Sequence, residues 1–154
     1  MSARTALSLL KVLEDTRQQV RLPWPEGVTV EPATLKEGDF TTPTLLGIAA
    51  IELKRDDYAA SVGRDRPRVD REVERLKPYR WKCILVADEI TSVYRKTLVH
   101  PNAILGTICS LLANHDCPTI FVGNDAAAAR VICGLLRRWE VRVQNERAAE
   151  SGAA

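Results

Sequence analysis

Apolar positions along this chain follow two rhythms. In the first third the segments are short and extended. The run "LLKVLED" closes in acid, "PWPEG" supplies turn chemistry, and "VTVEPATL" alternates as a strand does. "KEGDF" then turns the chain into a strand that ends at Lys54. Between Ala49 and Lys54, alternation sends Ile51 and Leu53 to one face and Glu52 and Lys54 to the other. This stretch predicts a strand meander. Further on, "RPRVDREVERLKPY" spaces Val69, Val73 and Leu76 as a helix would, with Arg68, Arg71 and Arg75 on another face. "KCILVAD" and "PTIFVG" are continuous apolar runs, which predict strands covered on both sides. Between them "HPNAILGTICSLLANHD" starts near Pro101 and is apolar nearly all round, so a buried helix is expected. "NDAAAARVICGLLRRW" begins with an Asn/Asp cap and sets Ala128, Val131, Ile132, Leu135 and Trp139 on one stripe. Strands first and alternating strands and helices afterwards predict an α/β fold: a central mixed sheet flanked by helices.

Composition narrows the class. A chain of 154 residues with 45% hydrophobic and 27% charged residues suits one soluble domain with a sizeable core. We place that domain at residues 8–142, between a flexible start at 1–7 and a small, polar, flexible tail at 143–154. The net charge, 22 − 20 = +2, says little about partners. Its distribution says more, because Arg64, Arg66, Arg68, Arg71 and Arg75 crowd into one short stretch. The four cysteines form no CxxC pair. Cys83, Cys109 and Cys133 lie in apolar runs and read as small buried hydrophobes in a reducing compartment. No apolar run has membrane-spanning length, and the first residues lack a signal-peptide core, so a cytoplasmic location is expected.

Carboxylates gather at the strand ends. Asp15 closes the first strand, Asp39 follows Gly38 in a turn, Glu52 and Lys54 end the next strand, and Asp56 and Asp57 come directly after. If those ends are neighbours, the acids converge on one spot of the sheet. Hard oxygen ligands with a lysine beside them are the equipment of metal-assisted phosphodiester hydrolysis. Each residue also has a plain reading: Asp15 and Asp39 as turn formers, Glu52 and Lys54 as a solvated pair, Asp56 or Asp57 as a helix cap.

Three segments in order, "DTRQ" at Asp15–Gln18, "GDF" at Gly38–Phe40 and "IELKRDD" at Ile51–Asp57, resemble the motifs of the XPF/Hef nuclease domain. That family is a branch of the PD-(D/E)XK, restriction-endonuclease-like fold. "SVGRDRPRVDREVERL" is similar to the stretch that follows those motifs, and the likeness runs from about residue 11 to residue 139. There are two departures. Leu53 stands where the family has arginine, and two residues rather than three separate Lys54 from Asp57. The tandem helix-hairpin-helix domain of larger members is not expected here, as in small bacterial or phage members.

The resemblance implies a metal-dependent endonuclease for branched, flap or fork DNA, acting in repair, recombination or replication with Mg²⁺ or Mn²⁺. Asp39 and Glu52 would be the main metal ligands and Asp15 a supporting one. Lys54 would position the attacking water, and Asp57 would be a further ligand or an orienting group. Arg17 and Arg64 would meet phosphates near the cut, and Arg68, Arg71 and Arg75 would track the DNA backbone or form only a solvated helix face. A homodimer is also implied, with Ile104, Ile108, Leu111 and Trp139 serving either an interface or the core. The rival reading is a catalytically inactive DNA-binding or scaffolding module of the same fold. A third is an α/β protein with an incidental acidic rim.

Overall fold

The structure is a computed structural model and describes residues 10–63 and 66–153. Six strands form one mixed sheet: β1 (Lys11–Asp15), β2 (Thr29–Ala33), β3 (Phe40–Thr41), β4 (Ala49–Lys54), β5 (Trp81–Val86) and β6 (Thr119–Phe121), in the order β2-β1-β3-β4-β5-β6. The helices are α1 (Tyr58–Ser61), α2 (Arg66–Leu76), α3 (Ile90–Lys96), α4 (Pro101–His115) and α5 (Asp125–Gly152). The α/β fold with a central mixed sheet is as expected.

Alternation along β4 sets what each side of the sheet can be. Ile51 and Leu53, with Cys83 and Leu85 of β5, pack against Ala128, Ala129, Ile132, Cys133 and Leu136 of α5. Ile84 and Val86 face the other way, onto Val69 and Val73 of α2 and Ile104 and Leu111 of α4. Glu52 and Lys54 are in register with Ile84 and Val86, so they share that second face.

Several expectations are corrected. The opening strands do not form a meander: β1 and β2 run parallel. The chain between them returns along the α5 side, where Leu22 is buried and Trp24 meets Phe40 edge-to-face at 5.4 Å. The strand ending at Lys54 is preceded by a separate two-residue strand, β3, and by a tight turn at Pro43–Leu45. β6 is only partly buried, because it is the sheet's edge. Helix α4 buries one face alone, through Ile104, Thr107 and Leu111, and leaves Leu105, Leu112 and Cys109 exposed. Cys117 is buried instead. The expected tail is helical through Gly152. Val143 is buried, and Arg80 donates two hydrogen bonds to Glu146, at 2.7 and 2.9 Å. That helix is held further back by Trp139, which stacks on Trp81 with ring centroids 5.8 Å apart.

Candidate active site

Backbone pairing lines up the acidic residues. The Asp15 N–H donates to the Asp39 carbonyl, and the Asp39 N–H donates to the Ile51 carbonyl, each at 2.8 Å. Asp15, Asp39 and the Ile51–Leu53 segment therefore lie side by side on three neighbouring strands. Gly38 makes this possible. It has φ +76°, and a Cβ there would stand 3.0 Å from the Cβ of Ala50 and 3.3 Å from the Ile51 carbonyl. Only glycine takes that backbone conformation freely so close to β4.

These strands and α2 enclose a cavity of about 400 Å³ lined by Asp15, Asp39, Glu52, Glu72 and the arginines Arg17, Arg68 and Arg75, among others. Each acid has a different state. Burial works against the charge of Asp15, but Arg17 Nε at 2.7 Å and the Leu35 N–H at 3.1 Å outweigh it and hold its pKa below the ordinary value. Asp39 accepts from the Leu53 N–H at 2.8 Å. Burial nevertheless lifts it to about 6, with the charges of Asp15 and Glu72 adding to the rise. Glu52 goes to about 8, first through burial and then through the charge of Asp39. A carboxyl raised that far is one whose burial and like-charged neighbours outweigh the nearby ammonium of Lys54.

Lys54 is buried and 4% exposed in its side chain. Burial disfavours its ammonium, yet Glu52 and Glu72 overcome this and keep its pKa above the ordinary value. Its Nζ stands 3.7 Å from Glu52 and 3.0 Å from Glu72.

Such a constellation on these strands agrees with a wider comparison. The chain matches the ERCC4 domain over residues 18–135. It belongs to the ERCC4 domain family. Among solved structures, XPF from Aeropyrum pernix in complex with DNA is similar at 23% identity and a TM-score of 0.70, covering 86% of this chain and 66% of that one. A second structure of XPF from Aeropyrum pernix gives 24% identity and a TM-score of 0.69, covering 82% and 60% respectively. These likenesses show the fold, that of the XPF nuclease domain, and the chain spans 60% to 66% of those structures' length. A comparison with curated proteins finds no match.

Within this ERCC4 domain not every expected residue reaches the cavity. Asp15, Asp39, Glu52, Arg17, Arg68 and Arg75 line it, and Lys54 adjoins it through Glu52. Arg71 is exposed and does not line it, and Arg64 lies outside the described residues. Asp57 stands at the head of α1, where it accepts from the Arg55 N–H at 2.9 Å, and it does not line the cavity. Its charge still reaches Lys54. Asp56 is exposed and pairs with Lys96 at 2.8 Å. The strand thus stops at Lys54, and of the two candidate caps it is Asp57 that takes the helix-cap position.

Two acids at the cavity carried no signal in the sequence motifs, Glu37 and Glu72. Glu72 had one signal in helical spacing. It falls three residues after Val69 and four before Leu76, on the face those buried residues define. Among the described residues the arginines at the cavity are paired: Arg17 with Asp15, Arg68 with Glu72 at 3.6 Å, and Arg75 with Glu37 at 3.1 Å.

Proposed function

We propose that this ERCC4 domain is a divalent-metal-dependent endonuclease that hydrolyses DNA phosphodiesters at branches, flaps or forks. The observation that carries this reading is the adjacent pair Asp39 and Glu52, half-buried with raised pKa values beside the Lys54 ammonium and inside a rim of arginines.

A divalent cation suits the donor set. Among the described residues no three ligating side chains form a ready-made cage. Mg²⁺ does not require one, because it binds through one or two carboxylates and keeps several waters for itself and a phosphate. Asp39 and Glu52 would hold it, and Asp15 would support them through its charge, which reaches Asp39. When bound, the cation would supply Lewis-acid stabilisation of a phosphoryl oxygen and a more acidic water.

The chain's own groups have further work in this scheme. Lys54 is charged at neutral pH and can donate to a water or phosphate oxygen at the pocket. Asp57 acts as a charge behind Lys54. Arg17, Arg68 and Arg75 can exchange their carboxylate partners for phosphate oxygens, which match the guanidinium fork. Arg71 on the outer face of α2 adds to the backbone track, as would Arg64.

We further propose that two copies pair through the exposed Leu105 and Leu112 face of α4. Ile104 and Leu111 are already in the core, and Trp139 stacks on Trp81. Among the described residues no helix is long and apolar enough to cross a membrane, and the cytoplasmic assignment stays with the proposal.

The test is a panel of flap, fork, single-stranded and plain duplex DNA with Mg²⁺ or Mn²⁺. The expected result is cleavage near the junction that chelation abolishes. Salt-sensitive binding without cleavage would instead make the chain an inactive DNA-binding module.

A further inference from the structure

The sheet and the turns at its strand ends supply every motif residue of the pocket, yet the nearest partner of Lys54 comes from a helix. Lys54 Nζ donates to Glu72 Oε2 at 3.0 Å, while its strand neighbour Glu52 is at 3.7 Å. With its side chain 4% exposed, Lys54 has little water to satisfy its donors, so the position of the ammonium follows from its protein partners. The same Glu72 carboxylate meets Arg68 through Oε1 at 3.6 Å, one helical turn away. Glu72 therefore bridges the lysine of the sheet and an arginine of the basic helix with its two oxygens.

We infer that Glu72 is a positioning residue, which takes the shortest hydrogen bond of the Lys54 ammonium and so fixes its place between Glu52 and Arg68. This deepens the endonuclease reading of the same pocket and rests on it. The consequence is physical. Without Glu72 the nearest remaining partner of the buried ammonium is Glu52, at 3.7 Å, and a tightened Lys54–Glu52 pair would occupy the carboxylate assigned to the cation. Glu72 takes the shorter bond, 3.0 against 3.7 Å, so the ammonium leans toward the helix and leaves Glu52 freer to serve the cation. It touches neither the cation nor the substrate in this scheme.

Two readouts test it. The first needs no DNA or metal: the side-chain ammonium resonance of Lys54, observed by nitrogen-15 NMR in the free protein. Hydrogen-bonded and buried, it should be resolved in the wild type, shift and broaden in Glu72→Ala, and return in Glu72→Gln, which retains an acceptor oxygen. An unchanged Lys54 resonance in Glu72→Ala would overturn the inference even if the endonuclease reading stood. The second readout is kinetic. Glu72→Ala should lower kcat on the cleaved substrate by about 10- to 10²-fold, the scale of a displaced catalytic group. KM should stay within about threefold, and Glu72→Gln should recover most of the rate. In a Lys54→Ala background, Glu72→Ala should cost nothing more, because the group it positions is gone. A full further loss in that background would show that Glu72 acts apart from Lys54 and would also overturn the inference. If the wild type cleaves none of the DNA panel, the endonuclease reading fails while the resonance still decides the role of Glu72.

Discussion

Two clusters of charge meet at the end of β4, and they are built in opposite ways. Beyond the C-terminal ends of β4, β5 and β6, Lys96 bonds Asp56 at 2.8 Å and Asp88 at 2.6 Å, and Arg55 grips Asp125 with two bonds. Every acid named there has a cation, and water reaches the groups. Accordingly the Lys96 hydrogen bond holds Asp88 below the ordinary carboxyl value. In the pocket, Asp39, Glu52 and Glu72 surround one lysine under α2, and both Asp39 and Glu52 are pushed up. The lesson is that a count of charged residues does not mark a site. Burial that outweighs the neighbouring cations does, because keeping it costs stability that a bound ligand can return.

Activity should separate the clusters most strongly. Glu52→Gln and Lys54→Ala are each expected to lower single-turnover cleavage at least ~10²-fold, as for loss of a positioned catalytic group. Asp56→Ala and Lys96→Ala in the rim should leave the rate within about threefold, since this exposed, solvent-screened pair does not line the cavity. Asp57→Ala, which removes a charge that reaches Lys54, should fall between the two groups. Equal losses in pocket and rim variants would erase the distinction.

DNA affinity comes next in size. Arg68 and Arg75 line the pocket, whereas Arg71 does not. Replacing Arg68 and Arg75 by Glu should flatten the dependence of log Kd on log salt by about 0.9 for each phosphate no longer neutralised. Arg71→Glu alone should change the slope by about 0.9 or less. A slope unmoved by the double variant would return α2 to a solvated surface.

The last contrast is in stability against pH, and here the clusters should differ in sign. The folded-state pKa of Glu52 is about 8, against an ordinary 4.5. The folded protein therefore holds that proton more tightly, and the associated stability is present below 4.5 and lost as pH rises toward 8. Asp88 has a lowered pKa, so its contribution is present above 3.8 and lost as pH falls. Without divalent cations, the Tm of Glu52→Gln should gain on the wild type between pH ~5 and ~8, whereas Asp88→Asn should lose ground above pH ~4. Parallel curves for wild type and Glu52→Gln would contradict the raised value.

Much of the pocket was legible in the sequence because it rests on strand alternation, which is local. Ile51 and Leu53 opposing Glu52 and Lys54 needed only a period of two, and Gly38 before Asp39 needed only the turn. The remainder depends on tertiary placement. The parallel pairing of β1 with β2 is hidden because the connecting "VRLPWP" segment looks like a turn until its Leu22 and Trp24 find the core under α5. Helix α4 is apolar on all sides, and nothing in its sequence says which side the sheet will cover. Residues 143–152 look too polar to order, yet Val143 and the Arg80–Glu146 pair continue contacts begun at Trp139. In sequence, Glu72 is one of several acids interleaved with arginine. Its helical phase points inward, but only the fold shows that the face beneath it holds a lysine.

The central claim is that the half-buried Asp39–Glu52 pair is a cation site, and titration of the free protein with Mn²⁺ tests it most directly. Paramagnetic resonance counts bound ions, and calorimetry in buffers of different ionisation enthalpy counts released protons. Saturable binding with net proton release is expected at pH ~7, and less release at pH ~9, where Glu52 is already ionised. The site should be lost in Glu52→Gln and unchanged in the rim variant Asp88→Asn. Absence of binding, or Mn²⁺ uptake that survives Glu52→Gln, would contradict the claim.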